Sequence, residues 1–189
     1  MPFLPSEKLS RYFTAAQLTV TDTGLVNIPN DEQMNRLREL APMLDRVYDE
    51  IGPFWVASAY RSDAVNQRVG GAAGSYHSLG LAADIVPLNA DPEGMFQKIA
   101  SSDMRYDLGE IILKADQGAV HISLPTATKR GVLMTREEGV YRRLSDLEIS
   151  DLLASVEEAA PAIAGVGAAI VLGAAAFFLL RRMRVAQPA

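Results

Sequence analysis

The chain has no cysteine, only two histidines and a single tryptophan among its 189 residues. Without cysteine there are no disulfide staples and no thiolate metal sites, so any metal centre must be built from imidazole and carboxylate. Positive charge is also in short supply, with 18 Lys and Arg against 23 Asp and Glu and a net charge of -5. Three of those bases, Arg181, Arg182 and Arg184, sit together near the C-terminus, and taking them from the 18 leaves 15 bases against 23 acids. That balance offers no electrostatic footprint for a phosphate backbone, and no nucleic-acid partner is expected. The opening stretch "MPFLPSEKLSRYFTAAQLTV" lacks a basic segment followed by an apolar core, so no cleavable secretory signal is expected. No internal repeat is visible either.

What is present is a hydrophobic fraction of 49%, enough for one folded domain and an appendage. Residues 31–50, "DEQMNRLRELAPMLDRVYDE", put Met34, Leu37, Leu40, Leu44 and Val47 or Tyr48 on one stripe, which predicts an amphipathic helix packed on a sheet. "FWVASAY" at 54–60 is a short β-rich run. Ser62 or Asp63 then caps a short helix reaching Val69, and "GGAAG" breaks it. "LAADIVPL" predicts a second strand, "DPEGMFQKIASS" a helix, and "LGEIILKADQGAVHISL" a hairpin turning within Ala115 to Gly118. Helices and strands alternate without a strict βαβ rhythm, which predicts an α+β domain with a small antiparallel sheet and flanking helices rather than a doubly wound sheet.

The C-terminal part differs in kind. "SDLE" from Ser145 is a capping box opening an acidic amphipathic connector helix over 144–159. Residues 160–180, "APAIAGVGAAIVLGAAAFFLL", then run without a charge, about the 20 residues needed to cross ~30 Å of hydrocarbon. "RRMR" follows at once. The pattern predicts one transmembrane helix with a short basic tail over 181–189, a lipid bilayer as partner, and a tail on the cytoplasmic side. Gly165, Ala169 and Gly173 recur every four residues and offer a groove for helix self-association. The expected product is a single-pass protein of a bacterial inner membrane or a phage virion membrane, with its folded domain, residues 1–143, facing the cell wall.

Chemistry concentrates in "SYHSLGLAADI" and "AVHISL". His77 follows a glycine-rich segment, Asp84 sits inside an apolar strand, and His121 lies in the second arm of the hairpin. A lone histidine beside a strand is more often a hydrogen-bonded core residue than a ligand. A carboxylate inside a buried strand, however, must be compensated, because an unpaired buried charge costs several kcal/mol. A cation would do that. Two neutral imidazoles and one carboxylate form a three-ligand zinc site with an open fourth position, the arrangement of catalytic zinc.

"SAYRSDAVNQRVGGAAGSYHSLGLAADI" followed by "VHIS" resembles the M15 family of zinc D-Ala-D-Ala carboxypeptidases and phage L-alanyl-D-glutamate endopeptidases, in its short phage and bacterial branch. The family signature Ser-x-His-x-x-Gly-x-Ala-x-Asp with a later strand His is matched by Ser75, His77, Gly80, Ala82, Asp84 and His121. The similarity runs from "FTAAQLTVTDTGLVNIPN" to about Tyr141. The resemblance implies a Hedgehog/D-Ala-D-Ala peptidase-like fold in which His77, Asp84 and His121 hold Zn²⁺. It further implies that Arg61 faces the substrate or developing oxyanion and that Ser75 lies at the substrate pocket. It implies a zinc peptidase hydrolysing bacterial peptidoglycan stem peptides or cross-links.

Many relatives carry a catalytic acid three residues before the last His, where this chain has Gly118. Two substitutes present themselves. A two- or four-residue hairpin loop would pair Ile112 with His121 and Glu110 with Ser123, placing Glu110 on the face of His121. Asp116 is the alternative, on the turn itself. If neither acts as base, the chain is a zinc-binding, peptidoglycan-binding or virion structural membrane protein of the same fold without turnover.

Overall fold

A computed structural model describes residues 3–163. In chain order the elements are α1 (Ala15–Leu18), α2 (Asp31–Ile51), β1 (Phe54–Ser58), α3 (Asp63–Arg68), β2 (Ala82–Pro87), α4 (Pro92–Ser101), β3 (Glu110–Lys114), β4 (Ala119–Ser123), β5 (Val132–Glu137), β6 (Val140–Arg143) and α5 (Asp146–Ile163). The strands form one sheet in the order β1-β2-β4-β3-β5-β6. All neighbours are antiparallel except β3 and β5, which are parallel. The fold is therefore α+β as expected, but its sheet is mixed and extends by two strands, β5 and β6, beyond the hairpin read from the sequence.

Local chemistry explains where the helices begin. Asn30 caps α2 with its side chain accepting from Gln33 N while Gln33 reaches back to the Asn30 backbone, a complete capping box. The stripe of Met34, Leu37, Leu40, Leu44 and Val47 is buried as predicted. It joins Val56, Ala83, Ile85, Ile111, Leu113, Val120, Ile122 and Leu133 of the sheet in one core with Met95, Phe96 and Ile99 of α4. These strand residues all point to one face. The alternate positions of β2, β3 and β4, which include Asp84, Glu110, Ile112, Lys114, His121 and Ser123, point to the other.

Ser145 accepts from Glu148 N and Glu148 accepts from Ser145 N, the predicted capping box of α5. Its start packs on the domain, with Leu144 and Leu152 buried in the core and Ile149 against it. Residues 164–180 of the expected membrane span, its small-residue groove and the basic tail lie outside the described residues. Among the described residues no helix is long and apolar enough to cross a membrane.

Candidate metal centre

Register brings the site together. Asp84 of β2 pairs with His121 of β4, and His121 pairs with Ile112 of β3, the pairing that a four-residue loop at Ala115 to Gly118 requires. Gly118 closes that loop at φ 64°, in the left-handed region. An acid at this position would be strained, which gives a backbone reason for glycine there. On the outer side β1 carries an irregularity between Val56 and Ser58, so that Val56 faces Ile85 while Ser58 faces Asp84. Strict alternation would have sent Ser58 to the core with Val56. The extra residue re-aims it toward the site, a common use of a bulge.

His77 reaches the same place from a loop. The turn of residues 75–80 is seated on the first turns of α2, where the Gln33 side chain donates to Ser78 O at 2.9 Å and Arg36 to Leu79 O at 3.2 Å. Gly80 makes the seat close-fitting. Its φ is +75°, and a Cβ there would stand 2.8 Å from the Gln33 carbonyl oxygen. Within the turn the Ser75 hydroxyl accepts from His77 N at 3.3 Å, so the structure places Ser75 as a cap of the loop that carries His77.

The three side chains then converge. His77 Nδ1 lies 2.7 Å from Ala59 O, which can only accept, so the proton is on Nδ1 and Nε2 carries a lone pair. That Nε2 is 3.1 Å from His121 Nδ1 and 3.4 Å from Asp84 Oδ1, and His121 Nδ1 is 2.9 Å from the same oxygen. All three residues are buried. Burial removes the imidazolium's hydration and pushes His77 down to about 4, against the pull of Asp84 in the other direction. For Asp84, burial alone would raise the carboxyl, but its interactions with His77 and His121 outweigh that and hold it well below the usual carboxylate range.

The donor set suits a zinc-like ion. Tetrahedral Zn²⁺ with bonds of about 2.0–2.1 Å needs ligand atoms roughly 3.3–3.4 Å apart. The observed separations of 2.9, 3.1 and 3.4 Å fall slightly inside that triangle. Among the described residues, His77, Asp84 and His121 are the group able to hold a metal. The carbonyl bond to His77 Nδ1 is the orienting contact that ligating imidazoles generally make.

The remaining sequence candidates are held by other charges. Arg61 donates from Nη2 to Asp84 Oδ2 at 2.7 Å and from Nε to Ser58 Oγ at 2.8 Å, so its first role is to fix the carboxylate. Glu110 does share the face of His121, and its carboxylate accepts from Lys129 Nζ at 2.6 Å. Lys129 also lies over the Tyr76 ring, 5.0 Å from its centroid. Asp116, on the turn, accepts from Arg136 at 2.6 Å.

One functional neighbour escaped the sequence reading. Lys114 Nζ donates to Asp84 Oδ1 at 2.8 Å, with its side chain 7% exposed. The signal for it was available, because the register that puts Glu110 on the face of His121 puts Lys114 there too.

A family model described as Peptidase M15 matches residues 11–123, more than half of the chain and all of the residues from Arg61 to His121 described above. No curated protein matches the chain.

Proposed function

The chain belongs to the peptidase M15 family, and we propose that it is a zinc peptidase acting on stem peptides or cross-links of bacterial peptidoglycan, anchored in a membrane through residues 160–180. The observation that carries this reading is the convergence of His77 Nε2, His121 Nδ1 and Asp84 Oδ1 on one point. The substrate class rests on the resemblance of the Ser75 to Asp84 signature to zinc D-Ala-D-Ala carboxypeptidases and L-alanyl-D-glutamate endopeptidases. The anchor rests on the uncharged run and the arginines after it. Gly165, Ala169 and Gly173 would allow two such helices to pair. With the tail inside, the domain faces the cell wall across a bacterial inner membrane or from a phage virion membrane.

Zinc held by His77, Asp84 and His121 would supply Lewis acidity toward the scissile carbonyl and would lower the pKa of a water to about 7. The chain's own residues do the rest. Ala59 O fixes the His77 tautomer, and Arg61 fixes Asp84 through its second oxygen. The guanidinium also places fixed positive charge beside the site, where it favours negative charge growing on a substrate oxygen. Glu110 is the group positioned to accept a proton, provided that a substrate draws Lys129 away from it. Lys129, 42% exposed, suits a substrate carboxylate. Asp116, the other candidate, is paired on the turn with Arg136.

A second reading, a wall-binding or virion structural protein without turnover, is favoured by the ion pairs that occupy both Glu110 and Asp116. Incubating the full-length protein with muropeptides at saturating zinc, and following products by mass spectrometry, separates the two. Cleavage that disappears in His77→Ala supports the peptidase. Binding without any cleavage supports the second reading.

A further inference from the structure

We propose that Lys114 is the resident cation of the His77, Asp84 and His121 cluster, and that a divalent metal binds only by displacing its ammonium from Asp84 Oδ1. The proposal rests on reading that cluster as a metal site. Asp84 Oδ1 is the oxygen that faces both imidazoles, and Lys114 Nζ occupies it at 2.8 Å. The other oxygen is taken by Arg61 at 2.7 Å. One carboxylate is thus matched by two fixed cations, whose side chains are 7% and 15% exposed.

Charge makes this arrangement decisive for metal binding. With neutral imidazoles the cluster already carries one positive charge in excess, and a divalent ion added beside it would meet two cations and one carboxylate. In a poorly hydrated site such repulsion is weakly screened. The counter-charge that a metal would supply to Asp84 is therefore already present in the folded chain. Lys114 and Arg61 differ in how readily they could yield. Arg61 is clamped between Asp84 and Ser58 Oγ. Lys114 is a point charge on a flexible four-carbon stem at the end of β3, next to the hairpin turn, and can withdraw without disturbing the ladder.

Lys114 therefore keeps the metal-free domain folded and lowers its affinity for zinc. The test is a zinc titration of the full-length protein by calorimetry with a competing chelator, comparing wild type, Lys114→Met and, as a control for net charge, Lys98→Met on the exposed side of α4. Removing the resident cation is expected to tighten zinc binding at least about tenfold, with Lys98→Met unchanged. Lys114→Gln is expected to follow the same order and covers the case in which the methionine variant folds poorly. Thermal unfolding gives a second readout, with metal-free Lys114→Met melting below wild type and gaining more from zinc. Equal, measurable affinities in wild type and Lys114→Met would overturn the competition and leave the metal site standing. Folded proteins that bind no zinc with or without Lys114 would overturn both.

Discussion

Asp84→Asn removes the charge on which the buried cluster is organised while keeping its shape. The carboxylate receives Arg61 at 2.7 Å, Lys114 at 2.8 Å and His121 at 2.9 Å. Hydrogen bonds to charged groups contribute about 1.5–3 kcal/mol each, and breaking a buried ion pair by removing one partner costs about 3–5 kcal/mol, because the other charge is left without compensation. Two cations are left here rather than one, although Arg61 retains Ser58 Oγ. The expected loss is therefore about 3–5 kcal/mol, read by urea unfolding of metal-free protein at unchanged m-value. The double variant Asp84→Asn/Lys114→Met is expected to lie above the sum of its single variants by about 1 kcal/mol or more, since the second change removes the stranded charge. A loss below about 1 kcal/mol for Asp84→Asn, or strict additivity in the cycle, would refute the view that Asp84 is the buried counter-charge of Lys114.

Acid should destabilise the metal-free domain in a defined window. His77 titrates at about 4 when folded and near 6.5 when unfolded, so the unfolded chain takes up the proton first as pH falls. About 3 kcal/mol is then lost between pH 6.5 and 4, and the loss from Asp84 begins as pH falls through the ordinary carboxylate range, where the unfolded chain takes up the proton, and continues down to its depressed folded value. His77→Gln should flatten that profile in a pH series of urea midpoints, and an unchanged slope would argue against it. Gly80→Ala combines a left-handed backbone position with a 2.8 Å approach to Gln33 O. It should cost about 2 kcal/mol or more by the same assay and lower zinc affinity by displacing His77. Glu110→Gln should reduce muropeptide turnover at saturating zinc by about 100-fold or more, while Asp116→Asn should leave it within a few-fold; the reverse order would move the proton acceptor to the turn.

Much of this site could be read from residues alone. The stripe of α2, the capping box at Ser145 and the hairpin with Ile112 opposite His121 follow from local rules of periodicity, capping and loop length. The three candidate ligands converge as their motif suggested, since Asp84 and His121 are direct strand partners. What stayed hidden depends on contacts between distant segments. The irregularity that aims Ser58 at Asp84 leaves no mark in "FWVASAY". In β5 only Leu133 and Thr135 alternate inward, too short a pattern to read, and every residue of β6 is exposed, so burial gives that strand no pattern. The hydrogen bonds of Arg61 to Asp84 and Ser58 join segments far apart in the chain and leave no sign in "SAYRS". A lysine ending an apolar strand ordinarily reaches solvent, so sharing the face of His121 does not by itself mark Lys114 as buried. Here the chain turns at Gly118, and the same register that orients His121 carries the ammonium inward.

The most direct measurement is X-ray absorption at the zinc edge on the full-length protein loaded with saturating zinc, alongside His121→Ala. A single bound zinc with two imidazole nitrogens and a carboxylate oxygen at about 2.0–2.1 Å, reduced to one imidazole in the variant, is what the geometry of His77, Asp84 and His121 predicts. A wild-type spectrum with fewer than two imidazoles, or one that His121→Ala leaves unchanged, would contradict it.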